Sequence, residues 1–150
     1  ESFAGKAAVI CNKEDSDADA LEIVEKVIAN LEMHPIYMNA EAHDVHTAYI
    51  SHISHITSYA LANTVLEKER EEDTIFQLAS SGFSSTVRLA KSHPEMWVPI
   101  FRQNKENVLD VLNEHITQLR KFKSALEKEN FDYLGELITN ANKIRGILDK

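Results

Sequence analysis

The sequence has very few of the residues that cross-link a chain or let its backbone turn tightly: one cysteine, three prolines and four glycines among 150 residues. The single Cys11 cannot form an intramolecular disulfide, which predicts a reducing, cytoplasmic location. The glycines are scattered at positions 5, 82, 135 and 146, so neither the dinucleotide-binding fingerprint nor a P-loop can be assembled. A nucleotide-phosphate cradle is therefore not expected in this chain.

Basic clusters and long apolar runs are also missing. Lys and Arg number 16 against 24 Asp and Glu, which gives a net charge of -8. A phosphate backbone is bound by clustered Lys and Arg, and a bilayer is crossed by a run of about 20 apolar residues. We therefore expect neither nucleic acid nor membrane as a partner.

Residues 1–42 have an α/β pattern. The apolar runs Ala7–Cys11 and Pro35–Asn39 predict short strands, and apolar residues at helical spacing between them predict a helix. Two strands do not make a stable sheet of their own. The chain also begins at Glu1 rather than at Met. We expect residues 1–42 to be the edge of a larger sheet that begins upstream, with the domain boundary between residues 42 and 43.

Residues 43–150 have a helical pattern and no β-rich run. We expect helices over residues 40–70, 72–80 and 131–148, a turn at Ser81-Gly82, and a helix that begins at Pro94 and keeps one apolar face to about Glu129. A helix of about 30 residues would be about 45 Å long. That is too long for this small domain to cover alone, so the pattern predicts a partner subunit. The fold class is predicted to be mainly α, preceded by a small α/β remnant.

A polar stripe marks the stretch HDVHTAYISHISHITSY at residues 43–59. On a regular helix, one sector of about 100° holds the polar and small residues, and the opposite side holds apolar residues. The stripe contains no Lys or Glu, which favours a cleft over a solvated surface. Its members are Asp44, Ala48, Ser51, His52, His55 and Tyr59; the apolar side carries Tyr49, Ile50, Ile53 and Ile56.

Four histidines within this stretch raise the question of a metal ion. On a regular helix, His43 and His46 face one side while His52 and His55 face the other, so the four cannot bind one ion. The pair His52 and His55 with an outside carboxylate is the remaining metal arrangement. We predict no metal site.

A second polar cluster is the stretch SGFSSTVRLAKSHPEMW at residues 81–97. Arg88 is flanked by apolar residues, which predicts a guanidinium near apolar surroundings, where a carboxylate ligand binds well. An ordinary Arg–acid pair at a helix junction is the alternative, and Trp97 by itself is typical of a core residue. The residues alone indicate a helical oligomerising domain with a candidate anion pocket.

Both stretches resemble motifs of the prephenate dehydrogenase family. His43-Asp44 with Ser51-His52 and His55 resembles the HD(x)6SHxxH pattern of its C-terminal domain. The stretch from Gly82-Phe83 through Arg88 to Met96-Trp97 and Asn104 resembles its GF...TR-IA-S-P-MW...N pattern. Val87 stands where the family has Thr, Ser81 where it has a second Gly, and Ser54 where it often has Pro. Residues 1–42 are similar to the end of the family's Rossmann domain.

The resemblance implies a helical, intertwined homodimer that converts prephenate to 4-hydroxyphenylpyruvate with NAD or NADP. It implies that Arg88 binds a substrate carboxylate and that Ser51, His52 and His55 line the substrate pocket. Asp44 and Trp97 would belong to a polar network at the entrance.

The family's dinucleotide-binding glycines and catalytic histidine belong to a region that this sequence does not contain. We therefore predict no catalytic residue in this chain, no cofactor bound by it alone and no activity of it alone. A stand-alone helical interaction module and an arogenate dehydrogenase are the alternatives. NAD against NADP and feedback by tyrosine are not decided by these residues.

Overall fold

The computed structural model describes residues 2–69 and 75–148. Two parallel strands, β1 (Ala7–Cys11) and β2 (His34–Met38), are joined by helix α1 (Ala18–Asn30). The rest of the described chain is helical. Its α-helices are α2 (Ala40–Thr47), α3 (Ile53–Glu69), α4 (Ser81–Thr86), α5 (Pro94–Gln103), α6 (Lys105–Glu127), α7 (Phe131–Ala141) and α8 (Arg145–Leu148). The predicted fold class, mainly α with a small α/β part, is confirmed.

The two strands pair in parallel from Ala7 opposite His34 to Cys11 opposite Met38. Both predicted strands are confirmed; the second begins one residue earlier than expected. The end of the sheet is tied to α2 by the side chain of Asn12, which accepts a hydrogen bond of 2.8 Å from the backbone N–H of Ala40. Because of this bond and the Asn39 cap on Ala42, α2 begins directly where β2 ends.

The helix predicted over residues 40–70 is interrupted by a π-helical segment, Ala48–His52, between α2 and α3. The backbone N–H of Ile53 bonds to the carbonyl of Ala48, five residues back. This wider turn holds about one residue more than an α-helical turn and so rotates every later residue around the axis. The regular helical wheel was also wrong for two residues of the π segment itself: Ala48 is fully buried, and Ile50 is 76% exposed.

The core of the helical region forms where the π segment meets α6. Ala48 packs with Val108 and Val111, and Ile53, Ile56 and Phe101 cover this cluster. The predicted core positions Ile53 and Ile56 are thus confirmed. Because Ala48 is small, the two helices approach closely here, and the histidine-bearing helix is fixed against α5 and α6.

Three further expectations are corrected or completed between residues 75 and 129. Ser81 and Gly82 begin helix α4 rather than form a turn. Of the helix expected over residues 72–80, the structure describes a 3₁₀ turn at Ile75–Leu78, and residues 70–74 lie outside the described part. The helix predicted to start at Pro94 does start there, but it ends at Gln103. Asn104 interrupts it with a non-helical backbone (φ -105°, ψ 30°).

The C-terminal helices leave much apolar surface uncovered. On α7 and α8, Phe131, Ile138, Ile147 and Leu148 are each at least half exposed. On α6, Leu119 and Leu126 are exposed to a similar degree. Among the described residues, no helix combines the length and the apolar composition needed to cross a bilayer.

Candidate functional site

His55 stands at the centre of an aromatic cluster on α3. Its ring stacks on Trp97 of α5, with centroids 3.5 Å apart and planes 27° from parallel. Its Nδ1 lies 3.0 Å from the backbone carbonyl oxygen of Ser51, one turn earlier. Trp97 is itself buried, 7% exposed, and packs against Phe101. These contacts fix the orientation of the His55 imidazole.

His52 is more deeply placed than His55. It is 8% exposed, and its ring meets Trp97 and Phe101 edge-on at centroid distances of 6.0 and 6.3 Å. Its Nδ1 lies 3.3 Å from Nδ2 of Asn104. Burial is the main cause that lowers the pKa of His52, and the charge of His55 lowers this pKa further. The Asp44 carboxylate offsets part of the decrease. His52 is therefore held as a neutral imidazole near neutral pH.

A polar cavity of about 280 Å³ lies beside His52, between α2 and the end of α5. His43, Asp44 and Thr47 line one side of it, and Gln103 and Asn104 line the other. His43 Nδ1 and Asp44 Oδ1 are 3.0 Å apart at its edge.

The prediction that His43 and His52 face opposite sides of the helix was wrong. Both line this cavity, because the π turn between them rotates His52 by about one residue position. His46 does not line it; His46 borders an apolar cavity against β1 and β2, which His43 borders as well. In the described part of the chain, no three His, Cys, Asp or Glu side chains gather closely enough to bind a metal ion.

Arg88 lies in a 3₁₀ turn, Arg88–Lys91, that follows α4. Its side chain is exposed, while its neighbours Val87 and Leu89 are half-buried, so the expected apolar surroundings stay a prediction. Within the described residues it forms no ion pair, and the alternative of an ordinary Arg–acid pair is not observed there.

The backbone on both sides of Arg88 is anchored to α3 by Ser58. The Ser58 hydroxyl donates to the Thr86 carbonyl (3.1 Å) and accepts from the Ala90 N–H (3.0 Å). Ser58 is fully buried. The turn that carries Arg88 is thereby attached to α3 about one helical turn beyond His55.

The structure brings together five of the six residues singled out in the sequence. Ser51, His52, His55 and Trp97 are linked by the contacts above, and the backbone carbonyl of Asp44 accepts a hydrogen bond of 2.7 Å from Asn104. In the described residues, no hydrogen bond or ring contact joins Arg88 directly to this cluster. Ala90 and Ser92, which follow Arg88, do share a cavity of about 350 Å³ with Trp97.

Two residues that position this site were not identified from the sequence. Asn104 stands within a motif that implies no role for it, and neither motif contains Ser58. Asn104 is a buried polar residue within the helix that the sequence predicts from Pro94 to about Glu129. A buried polar residue needs hydrogen-bond partners. Ser58 lies three residues beyond His55, but serine is common on helix surfaces and its burial leaves no signal in the sequence.

Comparison with known proteins shows the family of this chain. The family described as "Prephenate dehydrogenase, dimerization domain" matches residues 39–140. The chain is 29% identical to a prephenate dehydrogenase of Bacillus subtilis over 87% of its length, and 33% identical to a cyclohexadienyl dehydrogenase of Zymomonas mobilis over 72%. It covers 35% and 37% of those two proteins.

The fold of this chain is also similar to that of a solved structure. The crystal structure of prephenate dehydrogenase from A. aeolicus, in complex with hydroxyphenyl propionate and NAD+, superposes with a TM-score of 0.86 at 28% identity. The match covers 97% of this chain and 51% of that one. The chain spans about a third to a half of the relatives that it matches, and it belongs to the prephenate dehydrogenase family, with the dimerization domain at residues 39–140.

Proposed function

We propose that this chain is the C-terminal half of an NAD(P)-dependent prephenate dehydrogenase, which decarboxylates prephenate oxidatively to 4-hydroxyphenylpyruvate in tyrosine biosynthesis. Its share is the dimer interface and part of the substrate pocket. The observation that carries the proposal is Arg88: an exposed guanidinium without an acid partner among the described residues, anchored through Ser58 to the helix that bears His52 and His55. A guanidinium in that setting is ready to bind a carboxylate in two parallel hydrogen bonds.

The residue roles follow from the contacts around Arg88. Arg88 binds a substrate carboxylate, and Ser51, His52 and His55 line the pocket. Asp44 and Trp97 form the network at its entrance, since Asp44 borders the polar cavity and Trp97 borders the cavity below the Arg88 turn. No residue of this chain is assigned a chemical step.

The apolar surface of the helical region supports a homodimer. A groove of about 540 Å³ runs between α3 and α6, with Ile56, Leu61, Leu112, Ile116 and Leu119 in its walls. Large exposed apolar surfaces of this kind mark protein interfaces. A second copy of the chain would cover the groove and the exposed residues of α7 and α8.

Residues 1–42 are proposed to be the edge of the nucleotide-binding domain, with residues 43–150 as the dimerisation and substrate-binding domain. A parallel sheet is normally covered on both faces and has more than two strands. Here α1 exposes Ile23, Val24 and Val27, and the strands expose Val9 and Ile36. These side chains suit further strands and helices of a larger sheet.

The nicotinamide cofactor, NAD or NADP, is proposed to bind to the other half of the enzyme. The described residues do not fit it: β1 is followed by a 3₁₀ turn, Lys13–Asp15, that carries Glu14 and Asp15 where a pyrophosphate would need glycines and free N–H groups. Arogenate remains a second candidate substrate, because the Zymomonas relative is named for the cyclohexadienyl ring rather than for prephenate.

A chimera tests the proposal. The nucleotide-binding half of the B. subtilis relative is fused to residues 39–150, and prephenate-dependent reduction of NAD+ is measured beside the unfused chain. We expect activity from the chimera and none from the chain alone. A folded chimera without activity on prephenate or arogenate would contradict the proposed function.

Arg88→Ala in the chimera tests the site. Loss of a hydrogen bond to a charged group costs about 1.5–3 kcal/mol, which corresponds to a fall in kcat/KM of about 10- to 150-fold. Lys91→Ala is the matched control, because Lys91 is an exposed cation at the other end of the same turn. Equal losses from both variants would reduce the role of Arg88 to general surface charge.

A further inference from the structure

The protonated nitrogen of His55 is determined by its hydrogen bond to Ser51. A backbone carbonyl oxygen only accepts, so Nδ1 of His55, 3.0 Å from the Ser51 oxygen, is the donor. In the neutral imidazole the other nitrogen, Nε2, then carries a lone pair. His55 therefore offers an acceptor to any group that meets its Nε2.

Asn104 determines which nitrogen of His52 is protonated. Here it is Nε2, whereas in His55 it is Nδ1. Asn104 Nδ2 lies 2.7 Å from the Asp44 carbonyl oxygen, so this end of the amide must be the NH₂ group. Its Oδ1 accepts from Asn107 Nδ2 at 2.7 Å, which fits the same orientation. The NH₂ group also lies 3.3 Å from Nδ1 of His52 and can only donate to it. Nδ1 of neutral His52 is thus an acceptor, and the proton is on Nε2.

We propose that Asn104 is a positioning residue that holds His52 in the Nε2–H tautomer, opposite to the Nδ1–H tautomer of His55 one turn away. The groups that face His52 are consistent with a neutral ring. Trp97 and Phe101 of α5 and Asn104 at the α5–α6 junction are uncharged, and the ionisable neighbours are His43, Asp44 and His55. Burial, which lowers the pKa of His52, acts in the same direction.

The two tautomers give the two histidines different ligand preferences. This consequence rests on the proposed function, in which both line the substrate pocket. His52 donates from Nε2 and binds a carboxylate or carbonyl oxygen without a change of protonation. Neutral His55 accepts at Nε2 and pairs with a hydroxyl, while a carboxylate would bind there only with uptake of a proton. The pair can thus distinguish a carboxylate from a hydroxyl within one ligand.

Nitrogen-15 NMR of the uniformly labelled chain tests the assignment directly. Spectra are recorded at about pH 8, above the usual histidine pKa of about 6.5, and His52→Gln and His55→Gln identify the two sets of ring resonances. We expect a protonated Nε2 and an unprotonated Nδ1 for His52, and the reverse for His55. The same tautomer at both positions would overturn the inference. This test keeps Asn104 in place, so it does not depend on whether an Asn104 variant folds.

Asn104→Asp tests the cause. A carboxylate at this position only accepts, so the proton of His52 is expected to move to Nδ1 while His55 keeps its tautomer. Asn107→Leu is the control: it removes the bond to Oδ1 of Asn104 but leaves the NH₂ group on the Asp44 carbonyl, and His52 should keep its proton on Nε2. A folded Asn104→Asp variant with His52 unchanged would refute the role of Asn104. If the tautomers are as expected but the chimera is inactive, the inference stands and the proposed function fails.

Discussion

The two regions of this chain, residues 2–39 and 40–148, differ in how far each covers its own apolar residues. In the first, Ile28 is the one apolar side chain of the described residues that is buried, and α1 leaves Ile23, Val24 and Val27 about half exposed or more. In the second, Ala48, Trp97, Val108, Val111 and Ala125 are buried. The α/β region leaves most of its apolar side chains uncovered, whereas the helical region has a core of its own.

The comparison shows where the candidate site gets its rigidity. His52, His55 and Trp97 are fixed by helices that pack on one another, and the buried polar residues Ser58 and Asn104 tie the loops to them. The α/β region joins α2 through the bond from Ala40 to Asn12 and borders a cavity there. The helical region should therefore fold independently of the α/β region. Three substitutions in the helical region and one truncation of the α/β region test how much each region contributes to stability.

Trp97→Ala should cause the largest loss. Replacing a buried Trp by Ala typically costs about 3–5 kcal/mol, and Trp97 packs against His52, His55 and Phe101. The free energy of unfolding is measured with urea at one protomer concentration, because dimerisation would shift it. Met96→Ala, at the exposed neighbouring position, is the control. Similar losses from both variants would mean that the aromatic cluster is not part of the core.

Ser58→Ala should have the next largest effect. It leaves the Thr86 carbonyl without the Ser58 donor and removes one of the two acceptors of the Ala90 N–H, which also donates to the Val87 carbonyl at 3.0 Å. Loss of such a partly buried bond costs about 1–3 kcal/mol. Ser54→Ala is the control, since among the described residues the exposed Ser54 hydroxyl bonds only to the carbonyl of Ile50, four residues earlier. Urea unfolding compares the two. A loss from Ser58→Ala no greater than that from Ser54→Ala would contradict the anchoring of the Arg88 turn.

His52→Gln should have a smaller effect, which appears in the pH dependence of the free energy of unfolding. Because the pKa of His52 is lowered in the folded protein, its contribution to stability is complete above the unfolded value of about 6.5 and is lost as the pH falls toward the folded value. The free energy of unfolding should therefore decrease from pH 7 toward pH 5, and less so in His52→Gln. His93→Gln, which removes an exposed histidine, is the matched control. An unchanged slope in His52→Gln would contradict the buried neutral ring.

Removal of residues 1–38 should have the smallest effect on the helical region. The helical core contains none of these residues, so the urea midpoint of the remaining chain should stay within error of the wild type. Circular dichroism should retain the helical signal. Unfolding of the truncated chain would contradict independent folding of the helical region. It would mean that the helical fold requires the α/β region.

The sequence predicted those elements whose signals are local. Both strands, the start of a helix at Pro94 and the apolar positions Ile53 and Ile56 follow from composition, proline geometry and spacing. The π segment did not, because one extra residue in a single turn changes the periodicity too little to be recognised. That one residue nevertheless brings His43 and His52 to the same cavity.

The remaining differences concern contacts between segments far apart in the chain. Nothing near Asn104 indicates that its side chain meets His52, 52 residues earlier. Nothing near Ser58 indicates the turn at Arg88. Such contacts depend on how helices pack, and helical periodicity gives only the face that packs, not its neighbour.

The central claim, that this chain is the dimerising half of its enzyme, is tested most directly by the mass of the purified chain in solution. Light scattering over a range of concentrations should give a folded species near twice 17.0 kDa. That result would account for the exposed apolar residues of α6 to α8. A well-folded monomer of 17.0 kDa at every concentration would contradict the claim.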